Sequence, residues 1–260
     1  MTDHSQVVRD SFTIQAVAFA ATPWVASDER LTRLVSFAEL TGKERVLDIA
    51  TGPGYVAEAF AQGARETIGI DLTPAMLQIA RERTAKRELA NLDFILGDVT
   101  ELPFRDGEFD LVVTRFSFHH FQEPLVVLRE MVRVCGAKGT VIVEDVVTSE
   151  QPARAKMHNY IEVLRDPSHV RAMPLSELLV LFREGGLDAE RVLKTSDLCP
   201  EVEHWLTTTR TSAEKAREIC TLLEKDRSED VAGLRPYYNE TGKLHFRLGT
   251  AILAGRKFRA

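Results

Sequence analysis

The chain has 260 residues, of which 44% are hydrophobic, enough for a substantial core in one domain with an appended subdomain. Its formal net charge of −6 argues against a nucleic-acid partner, since broad contact with a phosphate backbone needs a basic surface. No apolar run approaches the roughly 18 residues that indicate a membrane span, and the N-terminus has no signal-peptide character. Cys135, Cys199 and Cys220 are isolated, which predicts free thiols in a reducing cytoplasm. No metal-ligand spacing is present, so no metal is expected.

The first 148 residues predict a sheet with helices between its strands. Apolar, β-branched runs predict strands at 46–49, 67–72, 92–99, 109–114 and 140–144. Helical patterns follow at 55–64, 73–90 and 124–134. The near-continuous hydrophobicity of the strands is typical of a sheet covered on both faces.

The turn after the first predicted strand fits a dinucleotide site. Gly52, Gly54 and Ala57 match the pattern G-x-G-x-x-G/A, in which glycines allow a tight turn against a pyrophosphate. Asp71 lies 19 residues after Gly52, close to the position expected for an acid that binds ribose. Taken alone, these residues would indicate an NAD-dependent dehydrogenase.

Two residues of the same segment argue against a pyrophosphate. Pro53 removes one backbone N–H from the loop, and Asp48 adds a negative charge beside it. S-adenosylmethionine has no phosphate and carries an ammonium, a sulfonium and a carboxylate, with a net charge of about +1. An acid at the end of the first strand suits that ligand, because opposite charges attract strongly in a partly desolvated pocket.

Further acids end the next two predicted strands. Asp71 follows the second strand, and Asp98 follows the third. In an open α/β sheet the carboxyl ends of the strands form the edge where the ligand lies. The three carboxylates are therefore expected to surround one ligand, although a lone acid in a turn is more often a capping or solvated residue.

The order of these motifs resembles the class I SAM-dependent methyltransferases, and most of all the ubiquinone and menaquinone C-methyltransferase-like group. Residues 10–19 and 116–121 also resemble that group. Ala50 stands where the group usually has Gly, and Phe19 where Tyr is common. The remaining positions that carry the resemblance are Asp48, Gly52, Gly54, Asp71, 97–99, 109–113, 128–134 and 138–140.

The resemblance implies a Rossmann-like, doubly wound α/β fold. Its sheet would have seven strands, mostly parallel, with an antiparallel last strand. The chain would form one methyltransferase domain with a core at about 30–148, 174–195 and 243–257. Helical lid or substrate elements would occupy about 1–29, 150–172 and 197–240, although ordinary sheet-covering helices are an equal alternative for the later two.

The same resemblance implies a set of cofactor-binding residues. Asp48 and the loop 52–54 would approach the methionyl part, and Asp71 would accept hydrogen bonds from both ribose hydroxyls. Leu72 and Met76 would pack on the adenine. The other implied positions are Phe19, Ala50, Thr51, Gly52, Gly54, Gly97, Asp98 and Val99, with Asp98 and Val99 at the adenine edge, and Thr114 and Arg115 at the methionine end.

The segment after the fifth strand predicts more helices and two more strands. Helical spacing appears at 152–165, 174–184 and 200–225, with a capping box predicted at Thr211 and Glu214. A sixth strand is predicted at 187–194. Alternating residues at 244–252 predict the last one, weakened locally by Gly249.

The implied chemistry is an in-line displacement in which a substrate nucleophile attacks the sulfonium methyl group. A general base is needed only if that nucleophile must lose a proton. The candidates are His119, His120, Tyr160 and His169. For His119 and His120 a structural role is favoured, with one ring under the cofactor and the other capping a backbone group. His169 with the neighbouring Arg165 and Arg171 would suit an anionic or phenolate substrate, or would form a solvated turn.

The acceptor is expected to be a small molecule that reacts through carbon or oxygen. The fourth strand runs into Thr114-Arg115-Phe116-Ser117, without the Asn-Pro-Pro-Tyr type of motif that methylates exocyclic amines of bases. An NAD-dependent oxidoreductase and a SAM-binding protein without catalysis remain the alternatives. Both a monomer and a homodimer are compatible with the sequence.

Overall fold

The computed structural model describes residues 3–87 and 89–258, which fold around one large sheet. Its seven long strands follow the order β3-β2-β1-β4-β5-β10-β7, and the two-residue β6 pairs with β5. The strands are β1 (Arg45–Ile49), β2 (Glu66–Asp71), β3 (Leu92–Leu96), β4 (Phe109–Arg115), β5 (Cys135–Thr148), β6 (Met173–Pro174), β7 (Leu187–Leu198), β8 (Tyr237–Tyr238), β9 (Leu244–His245) and β10 (Leu248–Lys257). β8 and β9 form a separate small hairpin.

The pairing directions confirm the mixed sheet. β1 to β5 are parallel, whereas β10 runs antiparallel to both β5 and β7. The predicted doubly wound α/β fold with an antiparallel last strand is therefore correct, and β6 adds a short parallel strand to it.

Nine helices accompany the strands in the part of the chain that the structure describes. They are α1 (Asp3–Ala20), α2 (Asp28–Ala38), α3 (Tyr55–Ala61), α4 (Pro74–Thr84), α5 (Pro124–Val134), α6 (Pro152–Arg165), α7 (Leu175–Glu184), α8 (Val202–Thr208) and α9 (Ala213–Glu229). A 3-10 turn, Phe118–His120, follows β4.

Alternate residues of the strands bury opposite faces of the sheet. Leu47 and Val112 join the apolar side chains of α5 and α7 on one face. Their neighbours Val46 and Val113 join α2 and α3 on the other face. Both faces are covered, as the continuous hydrophobicity predicts, because period-two side chains of each strand must find a partner layer.

A third apolar cluster joins α6, α8 and α9 beside this sheet. Ile161, Trp205 and Leu223 are fully or almost fully buried in it, together with Leu248 at the start of β10. This cluster corresponds to the segments predicted as lid or substrate elements. Its position beside the carboxyl edge of β4 and β5 brings α6 and α8 next to the site described below.

Several predicted boundaries are wrong, each for a local reason. β3 ends at Leu96 instead of 99, because the Asp98 carboxylate accepts the Thr100 N–H and starts a turn. The predicted helix 200–225 is broken by Arg210, whose φ of 52° is left-handed. The N-cap of α9 is Ser212, which accepts the Lys215 N–H, and the capping box predicted at Thr211 does not form. α3 and α4 also end early, at Ala61 and Thr84.

Candidate active site

The loop between β1 and α3 turns sharply at the carboxyl edge of the sheet. Ala50, Gly52 and Gly54 all have left-handed backbones, with φ of 51°, 54° and 79°. Such angles favour Gly, so a Gly at position 50 would fit this turn with less strain than Ala50 does. The Thr51 N–H donates to the Ile70 carbonyl 3.0 Å away and ties the loop to β2.

Asp48 lies beneath this loop and is 1% exposed. Its Oδ2 accepts the Thr51 hydroxyl at 2.5 Å and the Ala57 N–H at 3.1 Å. Burial raises the pKa of Asp48 to about 7, against the lowering effect of both hydrogen bonds. The side chain therefore holds the loop to the start of α3, and it does not line the cavity above the loop.

Asp71 stands at the end of β2 and faces that cavity. Its two carboxylate oxygens accept the N–H groups of Gly52 and Thr73, each at 2.8 Å. Burial raises its pKa, although these hydrogen bonds act in the opposite direction. A carboxylate has about four lone-pair positions, so two backbone donors orient Asp71 and leave acceptor capacity toward the cavity.

The cavity has a volume of about 560 Å³, within the range of about 300–1,000 Å³ found for small-molecule sites. Most of the predicted cofactor residues line it: Phe19, Ala50, Thr51, Gly52, Asp71, Leu72, Met76, Asp98, Val99 and Arg115. Asp48, Gly54, Gly97 and Thr114 are not on its wall.

Local packing explains the positions of these four residues. A Cβ on Gly54 would lie 2.8 Å from Phe94 Cζ, and one on Gly97 would lie 2.6 Å from Ile70 Cδ1. Both glycines allow close packing below the surface of the cavity. Thr114 is fully buried, and its hydroxyl donates to the Ile49 carbonyl at 2.9 Å.

The charge lining the cavity is mainly negative. Asp71, Asp98, Glu101 and Glu123 line it, and among the described lining residues Arg115 is the single Lys or Arg side chain. Arg115 is 8% exposed, and its Nε lies 3.3 Å from Glu144 Oε2. Because Glu144 already neutralises that guanidinium, the cavity favours a cationic ligand over a diphosphate.

Sequence reasoning missed the wall formed by α1 and by the residue after β4. Val8, Phe12 and the predicted Phe19 recur at helical spacing and face the cavity together, a stripe that is visible in the sequence. Phe116 has a φ of 55°, a left-handed conformation that is rare for an aromatic residue. No sequence signal marks that strain, which commonly occurs at functional sites.

A second cavity of about 70 Å³ adjoins the first. Five residues line both: Phe12, Phe19, Val25, Phe116 and His120. Its remaining wall combines apolar and polar side chains. The apolar ones are Trp24, Val146, Leu198, Trp205 and Leu248, and the polar ones are Gln15, His119, Glu162, Arg165, Asp166, His169 and Thr208.

The predicted histidines meet at this second cavity. The ring centroids of His119 and His120 are 4.2 Å apart, and those of His119 and His169 are 5.4 Å apart. His119 Nδ1 lies 2.5 Å from Asp145 Oδ1. Burial lowers the pKa of His119, but the charge and hydrogen bond of Asp145 outweigh it and raise the pKa overall.

His120 combines the two structural roles that the sequence suggested for the pair. Its ring lines the first cavity, and its Nδ1 lies 3.0 Å from the Ser168 carbonyl, which it caps as a donor. Burial, with a smaller contribution from His119, lowers the pKa of His120 to about 4.

The candidate base Tyr160 lines neither cavity, and Arg171 does not join Arg165 and His169 in the predicted substrate site. Tyr160 is 46% exposed and donates its hydroxyl to Glu218, away from both cavities. Arg171 pairs with Glu177. Arg165 reaches the second cavity, but it pairs with Glu162 at 3.0 Å and lies over the Trp205 ring.

Comparison with known proteins identifies the family. A family model described as "Methyltransferase domain" matches residues 47–143. The uncharacterized methyltransferase YcgJ of Bacillus subtilis is 31% identical over 233 residues, which cover 89% of this chain and 92% of that protein. The chain belongs to the class I SAM-dependent methyltransferases.

Solved structures agree with this methyltransferase assignment. The crystal structure of B. subtilis YcgJ superimposes with a TM-score of 0.82 over 89% of this chain and 99% of its own, at 30% identity. The demethylmenaquinone methyltransferase of Thermotoga maritima is 38% identical over 113 residues, 43% of this chain and 47% of that protein. The similarity to that enzyme therefore covers less than half of either chain.

The family membership overturns the alternative of an NAD-dependent oxidoreductase. The glycines of the loop fit both NAD and S-adenosylmethionine. The negative cavity and the methyltransferase relatives both favour S-adenosylmethionine. Residues 3–87 and 89–258 contain no cluster of three or more His, Cys, Asp or Glu suited to a metal. None of the helices described has the length and apolarity to span a membrane.

Proposed function

We propose that this methyltransferase transfers a methyl group to a carbon or oxygen of a small-molecule acceptor. The cofactor would occupy the larger cavity, and the acceptor would react at the smaller one. The observation that carries the proposal is the adjacency of the two cavities through Phe116 and His120. A donor and an acceptor bound there would meet at one junction that is screened from water.

The residues of the larger cavity fit S-adenosylmethionine. Asp71, held by the N–H groups of Gly52 and Thr73, would accept hydrogen bonds from the ribose hydroxyls. A Cβ on Gly52 would meet nothing within 4 Å and would occupy open space at this wall, so Gly52 leaves the room that a ligand needs. Leu72 and Met76 would pack on the adenine.

The remaining contacts would be made with the adenine edge and, separately, with the methionine end of the cofactor. Asp98 would accept from the adenine amine, and the Val99 N–H would donate to a ring nitrogen. Arg115 lies near the junction, where its donors already bind the Trp24 and Val25 carbonyls and fix the entry to α2.

S-adenosylmethionine supplies a methyl group that its sulfonium already activates, so this chain mainly has to align the reactants and exclude water. Water exclusion would fall to Phe12 and Phe19 of α1, which line both cavities and would cover the junction. His4 Nε2 lies 2.9 Å from the His120 carbonyl and ties the start of α1 to the site.

The second cavity suits an apolar or aromatic metabolite as the acceptor better than it suits a macromolecule. The second cavity is small and enclosed by aromatic side chains, and the net charge of −6 disfavours nucleic acids. A quinone precursor or another lipid-like compound agrees with the demethylmenaquinone methyltransferases among the relatives. The free thiols of Cys135, Cys199 and Cys220 support a cytoplasmic location.

Ligand-dependent thermal stability tests the cofactor part of the proposal. A ligand at 100 times its Kd stabilises the folded state by about 2.7 kcal/mol, which corresponds to roughly 5–10 °C for a chain of this size. S-adenosylhomocysteine should give such a rise and NAD should not. The reverse preference would contradict the proposal.

A radiolabelled methyl-transfer screen tests the acceptor part. Phenols, quinols, nucleosides and peptides would be offered together with S-adenosylmethionine, after mass spectrometry of any co-purified ligand. We expect transfer to a small carbon or oxygen nucleophile. Transfer to peptides or nucleosides alone would overturn the assignment of the acceptor class.

A further inference from the structure

Two imidazoles of the second cavity have lone pairs that no described residue satisfies. His169 Nε2 lies 2.8 Å from Asn159 Oδ1. The Asn159 amide nitrogen already donates to the carbonyls of Ala155 and Ala172, so Oδ1 is an acceptor and His169 Nε2 carries the hydrogen. His169 Nδ1 is therefore an acceptor, and it is buried without a partner.

The same reasoning applies to His119. Asp145 Oδ1, 2.5 Å from Nδ1, also accepts the Val146 N–H, so the carboxylate is the acceptor and Nδ1 of His119 carries the hydrogen. Asp145 Oδ2 accepts the backbone N–H of His119 at 3.2 Å. Asp145 thus orients both the backbone and the ring of His119. Nε2 of the neutral ring has a lone pair and makes no hydrogen bond within the described residues.

Two acceptor nitrogens beside the aromatic part of this wall favour a ligand that carries a hydrogen-bond donor. Hydroxyl groups can donate to these nitrogens, and an aromatic ring matches the faces of Phe116 and Trp205. The volume of about 70 Å³ admits the reacting edge of such a molecule and leaves the rest of it to the larger cavity. The buried His169 Nδ1 would otherwise require an ordered water as its donor.

We propose that the second cavity takes the hydroxyl edge of a phenolic or enolic acceptor, and that His119 Nε2 is the base that removes its proton. His169 Nδ1 accepts a hydrogen bond from the same hydroxyl or from a neighbouring one. Asp145 is a positioning residue that acts through His119. This inference rests on the proposed function and narrows its acceptor class.

In the proposed methyl transfer, the acceptor O–H bond breaks and its proton moves to His119 Nε2, while the acceptor oxygen forms a bond to the methyl carbon. The sulfur–methyl bond breaks and its electron pair remains on sulfur, which becomes neutral. His119 leaves the step as an imidazolium paired with Asp145, and it later releases the proton to water.

The surrounding charges favour His119 over its neighbours as the base. Besides Asp145, the charged groups that face it are Glu162 and Arg165 of α6. Burial keeps His120 and His169 neutral and lowers the pKa of both below its usual range. Of these three rings, His119 is the one with a carboxylate at ion-pair distance, and that carboxylate, Asp145, stabilises the imidazolium that proton removal creates.

The first measurement separates this inference from the proposed function. Calorimetry with S-adenosylhomocysteine is carried out on the full chain, on His119→Gln and on the control His245→Gln, whose ring lies at β9 outside both cavities. We expect the three proteins to bind it equally, within about twofold. Absence of binding to the unmodified chain would overturn the proposed function itself.

The second measurement uses 4-nitrocatechol, whose ionised form absorbs visible light, on the protein saturated with S-adenosylhomocysteine. We expect saturable binding with absorbance of the ionised probe at a pH where the free probe is protonated. His119→Gln should reduce that signal by about tenfold or more, whereas His245→Gln should not. The dimethyl ether of the probe, which has no hydroxyl donor, should not bind.

Two results would overturn the inference while leaving the proposed function intact. One is an equal signal from His119→Gln, and the other is no saturable binding of 4-nitrocatechol to a chain that binds S-adenosylhomocysteine. An NMR titration of the His119 ring tests the role of Asp145 without any ligand. Asp145→Asn should lower the pKa of His119 by about 1 or more, and an unchanged pKa would contradict the positioning role.

Discussion

The two cavities are built in different ways, and the difference shows where local sequence is informative. The polar groups of the larger cavity come mostly from consecutive strand ends, and backbone N–H groups hold its central acid, Asp71. The smaller cavity combines α1, the turn after β4, the end of α6, β7 and α8, and side chains hold its imidazoles His119 and His169. A motif can encode the first kind of site, whereas the second requires the tertiary fold.

The largest effect is expected from substitutions of the two loop glycines, Gly54 and Gly52. Gly54→Ala would place a Cβ 2.8 Å from Phe94 Cζ and 2.9 Å from Ala80 Cβ, at a φ of 79°. Strain and overpacking together should cost about 2–5 kcal/mol of stability, measured by urea unfolding.

Gly52→Ala is the matched variant, because its φ is also positive but its Cβ would meet nothing within 4 Å. Here we expect a smaller loss of stability, about 1–2 kcal/mol, together with a weakened affinity for S-adenosylhomocysteine. Equal losses of stability in both variants would show that the loop has no separate ligand-facing and core-facing positions.

Asp71→Ala tests the acid of the larger cavity. Leaving the ribose hydroxyls without their acceptor should weaken S-adenosylhomocysteine binding by about 1–3 kcal/mol, or roughly 5- to 150-fold in Kd. Calorimetry measures this, with the exposed Asp188→Ala as control. An unchanged Kd in Asp71→Ala would remove the ribose role.

Asp48, which lies beneath the loop of the larger cavity, makes the stability of the folded chain depend on pH. Because its folded pKa of about 7 is higher than the unfolded value, the folded chain binds the extra proton, and this stabilisation is lost as pH rises from about 4 to about 7. Both donors meet at Oδ2, so Asn can present its oxygen to them.

Urea unfolding of Asp48→Asn should therefore show a flatter dependence of the free energy of unfolding on pH than the unmodified chain. Between pH 5 and pH 8 the stability of the unmodified chain relative to the variant should fall by about 2–3 kcal/mol. Asp188→Asn should parallel the unmodified chain, and a constant difference for Asp48→Asn would contradict the raised pKa.

Ala50→Gly has the smallest expected effect. The substitution removes the strain of a left-handed Ala but increases the conformational entropy of the unfolded chain. The free energy of unfolding should therefore rise by up to about 1 kcal/mol. A rise in Tm with an unchanged affinity for S-adenosylhomocysteine is expected. A loss of stability would show that Ala50 contributes packing that its geometry does not reveal.

Sequence reasoning predicted the sheet and most of the larger cavity because period-two burial and turn chemistry are local signals. It placed Asp48 beside the ligand, since the end of a strand does not reveal which face of the loop an acid takes. It identified His119 and His169, but it could not show that Asp145, 26 residues beyond His119, fixes that ring. Tyr160 fitted the helical pattern, yet the rotation of α6 directs it to solvent.

A crystal structure of the chain with bound S-adenosylhomocysteine tests the central claim most directly. We expect the ribose hydroxyls to lie at the Asp71 carboxylate. The sulfur should lie at the junction formed by Phe116 and His120 and face the second cavity. Adenosine bound away from Asp71, or a sulfur directed away from that junction, would contradict that claim.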